Sequence, residues 1–119
     1  MYTSISRQVE DTVSKLRKIK PELIPLFQQC YSNTLDTTVE QLEDHTTFVI
    51  TGDIPAMWLR DSSAQVRPYI NLATRDADLA VMVRGLIMRQ VKYILLDPYA
   101  NAFNKESNGH GHQQDRTKM

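Results

Sequence analysis

The chain has 119 residues of ordinary globular composition, with 41% hydrophobic and 24% charged positions, which is enough for one small domain. Fourteen basic and fourteen acidic side chains cancel, so no net field attracts nucleic acid or an anionic membrane surface. We therefore expect neither nucleic acid nor a membrane as a partner.

Sequence features also bear on localisation. The segment Met1–Lys20 has no uninterrupted apolar run of the kind a secretory signal needs, because charges recur every few residues. No later segment approaches the roughly 20 apolar residues of a membrane-spanning helix, since Arg84 and Arg89 interrupt the most apolar stretch. A soluble, cytoplasmic chain is predicted. The single cysteine, Cys30, lies among apolar neighbours and is predicted to be a small buried hydrophobe, not a reactive thiol.

The first half of the chain is predicted to contain two helices and a hairpin. Apolar side chains recur every three or four positions over residues 5–19, which indicates one stripe of a first helix. Pro21 then restarts the chain, and the spacing predicts a second helix over residues 24–35. β-Branched and aromatic residues flank a polar turn in the next segment, which favours a short β-hairpin around residues 37–51.

The second half is predicted to contain a loop and two more helices. The loop covers residues 52–62 and leads into a third helix, whose apolar face lies between residues 66 and 73. A fourth helix over residues 76–96 has a wide apolar face and ends where Pro98 prevents its continuation. The N-cap candidates of the third helix are Asp61, Ser62 and Ser63.

The last segment, residues 104–119, has almost no apolar side chains and is predicted to be a loop or a disordered tail. His110 and His112 have the H-x-H spacing found in some metal sites. No cysteine or clustered carboxylate completes a ligand set, however. We therefore predict no metal site and no cofactor.

A first cluster of candidate functional residues combines Trp58, Arg60, Asp61 and Ser62 within five positions, at the end of the predicted loop. An indole face can stack on the apolar face of a pyranose, while a guanidinium and a carboxylate can pair with neighbouring hydroxyls. This mixture is typical of sugar binding. An alternative stays open: Trp58 belongs to the core, Arg60 and Asp61 form a local ion pair, and Asp61 only caps the helix.

A second cluster, residues 97–104, combines two carboxamides and a phenol with small residues. An asparagine side chain both donates and accepts hydrogen bonds, which matches a sugar hydroxyl. Asn101 is the candidate binding residue. The alternative is that Asn101 and Asn104 are turn residues and Phe103 fills the core.

Two long runs, residues 51–62 and 97–104, resemble glycoside hydrolase family 125, the metal-independent exo-α-1,6-mannosidases; they read TGDIPAMWLRDS and DPYANAFN. The resemblance implies a mainly α fold in which residues 1–119 form the incomplete N-terminal portion of one (α/α)6 six-hairpin toroid. It also implies an enzyme that removes terminal α-1,6-linked mannose from oligosaccharides such as those derived from N-glycans. The implied hydrolysis inverts the configuration at the anomeric carbon.

The resemblance assigns substrate-binding roles to the residues at matching positions of this chain. Trp58, Arg60 and Asp61 match the motif that helps form the sugar pocket, Asn101 lies in another part of the wall, and His112 lies on a loop expected near it. An inverting glycosidase needs an acid and a base roughly 6.5–9.5 Å apart. The resemblance implies that both lie downstream of this chain, which is then expected to be inactive alone.

A competing hypothesis treats the chain as an independent small helical interaction module without catalysis. In that case the Trp-Leu-Arg-Asp run contacts a partner protein and not a sugar.

Overall fold

The computed structural model describes residues 2–106, which are mainly helical with two small antiparallel strand pairs. The helices are α1 (Thr3–Ile19), α2 (Ile24–Tyr31), α3 (Asn33–Thr37), α4 (Leu59–Val66), α5 (Ile70–Ala73) and α6 (Ala77–Leu96). The strands are β1 (Val39–Gln41), β2 (Thr47–Val49), β3 (Met57–Trp58) and β4 (Ala102–Phe103), and single 3₁₀ turns cover Pro21–Leu23 and Arg67–Tyr69. Within this part of the chain no helix combines the length and the apolarity needed to cross a bilayer.

The predicted first and fourth helices are confirmed as α1 and α6. Asp76 caps α6, because its carboxylate accepts a hydrogen bond from the Leu79 backbone N–H at 3.1 Å. The same carboxylate accepts a hydrogen bond from the Ser4 backbone N–H at 2.8 Å, near the start of α1. One side chain thus fixes the first turns of the two longest helices against each other.

The predicted second helix is interrupted, since α2 ends at Tyr31 and α3 begins at Asn33. The burial predicted for Cys30 is wrong, because this residue is exposed. Helix α2 contacts α1 and α3 but buries none of its residues fully, since no further layer covers its outer side in residues 2–106. Spacing indicated that Cys30 is on a helix, but not which side of that helix would be covered.

The predicted hairpin around residues 37–51 is confirmed as the β1–β2 pair, with Val39 opposite Val49 and Gln41 opposite Thr47. All of β2 is buried against α6. The Thr47 hydroxyl donates a hydrogen bond to the Met82 carbonyl of α6 at 2.9 Å. This close approach requires Gly85, since a Cβ there would lie 2.5 Å from Thr47 Oγ1.

The hydrophobic core lies between α6, the two strand pairs and the inner faces of α1, α3 and α4. Its buried side chains are Ile5, Leu35, Phe48, Val49, Met57, Val66, Tyr69, Leu79, Met82, Leu86, Tyr93 and Phe103.

Helix α6 also has an apolar face that nothing in residues 2–106 covers. Its large side chains there are 44–81% exposed, although a soluble surface helix normally presents polar residues on its outer side. Apolar residues are also exposed at the turn between α1 and α2. The exposed side chains of α6 are Val81, Ile87, Met88, Val91, Ile94 and Leu95.

We expect Gly85→Ala to loosen the contact between β2 and α6. The new methyl group would meet the His45 carbonyl oxygen and the Thr47 nitrogen at 3.1 Å, and backbone atoms cannot rotate away as a flexible side chain can. Overpacking of this kind costs about 1–3 kcal/mol. Amide hydrogen exchange in β2 should therefore accelerate roughly tenfold or more.

Arg84→Ala, at the neighbouring exposed position of α6, is the matched control and should leave exchange in β2 unchanged. Equal exchange rates in Gly85→Ala and the unsubstituted chain would contradict the steric argument.

Candidate functional site

The pairing of β3 with β4 brings the two candidate clusters together. Met57 lies opposite Phe103 and Trp58 lies opposite Ala102. Asn101 directly precedes Ala102, so it lies one position from the residue paired with Trp58. The backbones of residues more than 40 positions apart in the chain thus lie next to each other.

The loop before β3 is held at both ends. Gly52 adopts a φ of 114°, which favours glycine, and the Thr51 backbone N–H donates a hydrogen bond to the Ala56 carbonyl at 3.0 Å across the loop. Ala56 and Met57 are buried, and they anchor the chain immediately before the first cluster. Gln65 of α4 donates a hydrogen bond to the Ile50 carbonyl at 3.1 Å, which ties the helix back to the loop.

Arg60 contacts both Asp61 and Trp58 at the surface. The Arg60 Nε donates a hydrogen bond to Asp61 Oδ1 at 3.0 Å, and the guanidinium carbon lies 5.6 Å from the centre of the Trp58 ring. The Arg60 side chain is 80% exposed and that of Asp61 38% exposed. An indole, a cation and a carboxylate therefore lie side by side and open to a ligand.

The N-cap predicted for Asp61 is wrong, because α4 begins at Leu59 and Trp58 occupies the cap position. Asp61 is the third residue of the helix, where its negative charge is favourable next to the helix N-terminus. The predicted ion pair with Arg60 is observed. Trp58 is only partly buried and lies outside the cluster of core side chains, which leaves part of its ring accessible.

In the second cluster, Asn101 is a binding candidate and Phe103 belongs to the core. Asn101 is exposed in the turn before β4. Phe103 is buried and stacks on Tyr93 with ring centres 4.4 Å apart, as the core alternative for this residue predicted. His112 lies outside the described residues.

Two side chains of α6 that the sequence interpretation missed hold the segment after β4. The Tyr93 hydroxyl donates a hydrogen bond to the Asn104 carbonyl at 2.5 Å, and Arg89 Nη1 donates to the Lys105 carbonyl at 3.1 Å. Arg89 and Tyr93 lie one helical turn apart. The sequence signal for them was polar groups that recur at i and i+4 on an otherwise apolar helix face.

Arg89 is a buried cation, with only 4% of its side chain exposed. Its Nε donates a hydrogen bond to Thr46 Oγ1 at 2.8 Å, and its Nη2 lies 3.3 Å from the Asp44 carboxylate. Lys92 also contacts Asp44, at 3.1 Å. Hydrogen bonds from Thr46 and Lys92, together with the charge of Arg89, hold the pKa of Asp44 well below its usual range.

A groove of about 880 Å³ opens beside this network, away from Trp58 and Asn101. Both signs of charge line it, together with leucines at the end of α6. No group of three or more His, Cys, Asp or Glu side chains within residues 2–106 is arranged to hold a metal ion. The lining residues are Glu40, Leu42, Glu43, Asp44, Arg89, Lys92, Tyr93, Leu95, Leu96, Lys105 and Glu106.

Sequence comparison places the chain among the glycoside hydrolases. Residues 20–119 match the family described as metal-independent alpha-mannosidase (GH125). The chain therefore belongs to this family, in agreement with the resemblance of its two motifs. This finding favours the glycosidase hypothesis over the independent interaction module.

Two relatives illustrate the similarity. A solved Streptococcus pneumoniae structure from a study of metal-independent alpha mannosidases is a non-productive substrate complex with alpha-1,6-mannobiose. It is 55% identical, matches with a TM-score of 0.82, and the match covers 92% of this chain and 26% of that one. The meiotically up-regulated gene 157 protein of Schizosaccharomyces pombe is 42% identical over 84% of this chain and 20% of its own length. The chain thus spans about a quarter or less of these relatives.

We expect the segment after β4 to be released at alkaline pH. Burial raises the pKa of Tyr93 from 10.0 to about 12, so the folded state favours the protonated phenol that donates to Asn104. The stabilisation from this group is complete below pH 10 and is lost as the pH rises from about 10 to about 12. Trp58, the single tryptophan, pairs with β4, and its fluorescence emission should change over this range.

Tyr93→Phe retains the stacked ring but has no proton to lose, so its emission should no longer change over that pH range. Tyr99→Phe, at an exposed tyrosine, is the matched control and should keep the transition. An identical pH profile in Tyr93→Phe and the unsubstituted chain would show that another group controls the segment.

Proposed function

We propose that this chain supplies part of the sugar-binding wall of a glycoside hydrolase that removes terminal α-1,6-linked mannose by an inverting acid/base mechanism. The observation that carries the proposal is the β3–β4 pairing, which sets Trp58, the residue before the Arg60–Asp61 helix turn, opposite Ala102, the residue after Asn101. Membership of GH125 supports it, and so does the alpha-1,6-mannobiose bound to the relative that is 55% identical.

Each proposed binding residue has a chemical role. The accessible face of Trp58 stacks on the apolar face of the mannose ring, while Arg60 donates hydrogen bonds to hydroxyls and Asp61 accepts them. Asn101 can do both and therefore suits a hydroxyl that is itself donor and acceptor. His112 is proposed as a further contact from the following segment.

The catalytic acid and base are proposed to lie outside residues 1–119. The Asp61 carboxylate already accepts a hydrogen bond from Arg60 Nε at 3.0 Å, which suits a binding role. No residue of this chain is therefore assigned to proton transfer. N-glycan-derived oligosaccharides are the proposed substrates, and the cytoplasm the proposed location.

The architecture proposed for the complete protein is an (α/α)6 toroid. Helices in such a ring bury apolar surface against neighbours on more than one side, which accounts for the exposed apolar face of α6. The match to 26% of the Streptococcus pneumoniae chain leaves most of that fold to supply the missing neighbours. We propose that residues 1–119 are an incomplete portion of one catalytic domain. Of the tail predicted over residues 104–119, residues 107–119 lie outside the described part of the chain.

The proposal is tested in a complete enzyme made by placing residues 1–119 in the corresponding position of the Streptococcus pneumoniae relative. This enzyme should release mannose from α-1,6-mannobiose. A folded chimera that leaves the disaccharide intact, while the parent hydrolyses it, would overturn the proposal that this segment forms a working sugar wall.

In this complete enzyme, Arg60→Ala and Asp61→Asn should each lower kcat/KM without unfolding the protein. A hydrogen bond that involves a charged group contributes about 1.5–3 kcal/mol, which corresponds to a loss of about ten- to a hundredfold. Arg67→Ala removes an exposed arginine beyond α4 and is the matched control with unchanged kinetics. If the melting temperature falls sharply while the folded fraction keeps its kcat/KM, these residues only stabilise the loop.

The isolated chain should show no mannosidase activity and no sharp unfolding transition. Its apolar α6 face favours association, because continuous exposed patches of this kind rarely remain free in stable monomers. Size-exclusion chromatography and circular dichroism should show a helical protein that melts over a broad range or elutes as a large assembly. A monodisperse monomer with two-state unfolding would contradict the incomplete-domain proposal, and turnover of an aryl α-mannoside above a buffer blank would contradict the placement of the carboxylates.

A further inference from the structure

Gln90 of α6 reaches across to the first turn of α4, next to the proposed sugar-binding residues. Its Nε2 lies 3.2 Å from the Leu59 carbonyl oxygen, 2.9 Å from Ser62 Oγ and 2.8 Å from Ser63 Oγ. The two N–H groups of the amide are therefore shared among three acceptors. These contacts join residues 27–31 positions apart in the chain.

The hydrogen-bond directions in this network are fixed by chemistry. A carbonyl oxygen can only accept, so the nitrogen of Gln90 must face Leu59. Both hydroxyls donate to the same carbonyl, Ser62 at 3.1 Å and Ser63 at 2.8 Å, which leaves their lone pairs to accept from Gln90. Ser62 is fully buried, so water cannot replace the glutamine there.

The carbonyl of Leu59 belongs to the peptide bond that joins Leu59 to Arg60, one residue after Trp58. At Trp58 the chain changes from strand to helix, with φ −103° and ψ 138°, and the side chain of this cap residue makes no hydrogen bond to the helix. The direction in which α4 leaves β3 therefore depends on contacts from other elements. Gln90 supplies such contacts at the first helical residue.

The exposed site residues cannot fix their own positions. Arg60 contacts Asp61 in a solvent-exposed pair, and such pairs contribute little to ordering. Their orientation follows from the backbone of α4. A displacement of about 1 Å in a binding group is enough to weaken ligand contacts substantially.

We infer that Gln90 is a positioning residue for mannose binding, which acts through Ser62, Ser63 and the Leu59 carbonyl and does not touch the sugar. The inference rests on the proposed function, since it takes Trp58 and Arg60 as the sugar contacts. Gln90 thereby holds the backbone that carries these side chains.

The test uses the complete enzyme with residues 1–119 in place and the substitution Gln90→Met, which keeps the side-chain length and removes both donors. KM for α-1,6-mannobiose and the calorimetric Kd for mannose should rise about tenfold, the effect of one lost hydrogen-bond network. The value of kcat should change less, because the proposed acid and base lie elsewhere. Adding Ser62→Ala to Gln90→Met should raise KM little further, since the two residues act in one network.

The matched control is Thr47→Val, which removes the 2.9 Å hydrogen bond from the Thr47 hydroxyl to the Met82 carbonyl. This bond also joins another element to α6, but it lies away from α4. Thr47→Val should lower the melting temperature and leave KM unchanged. A merely structural role for Gln90 would give the same pattern as this control.

The outcomes separate the inference from the proposed function. An unsubstituted chimera that binds and cleaves α-1,6-mannobiose supports the proposed function, whatever Gln90→Met does. Unchanged KM and Kd in Gln90→Met then overturn the positioning role. If Gln90→Met does not fold, Gln90→Glu keeps the polar shape and places acceptors against the Leu59 carbonyl; a normal KM in this variant would equally overturn the inference.

Discussion

One turn of α6, residues 89–93, holds both clusters of the proposed sugar site. Arg89 and Tyr93 bind backbone carbonyls after β4, and Gln90 binds the first turn of α4 after β3. The strands themselves contribute only two residues each, and a pair that short is not stable alone. The relative position of the clusters therefore depends on side chains from one rigid helix.

The segment after β4 is held partly by the buried guanidinium of Arg89, so its position depends on the groups that neutralise this charge. A buried charge is tolerated only when hydrogen bonds and an opposite charge replace its hydration. Thr46 and Asp44 from the turn between β1 and β2 provide both. Through Thr46 and Asp44, the turn before β2 is thus connected to Arg89 and the segment after β4, although neither residue belongs to either cluster.

The architecture proposed for the complete protein accounts for the exposed apolar face of α6. The outer face of α6 is apolar, yet nothing within residues 2–106 packs on it. In the proposed ring of helical hairpins, helices are apolar on more than one side, and the matches cover only 26% and 20% of the two relatives. The same face that would destabilise an isolated domain suits a segment inside a larger one.

Local sequence patterns predicted the helices and strands that short-range spacing and residue propensity determine. Three- and four-residue spacing predicted α1 and α6, β-branched residues predicted the β1–β2 hairpin, and the two motif runs led to the family. The resemblance also nominated Trp58, Arg60, Asp61, Asn101 and His112 as sugar contacts, and these nominations are proposals.

Tertiary structure alone decided where the elements meet. Spacing could not show that Trp58 pairs with Ala102, or that α4 begins at Leu59 and not after Asp61. It also could not show that Cys30 lies on the uncovered side of α2. The roles of Arg89, Gln90 and Tyr93 were hidden for the same reason. A hydrogen bond between residues 11 to 43 positions apart depends on how whole helices and strands pack, and no short window of sequence contains that information.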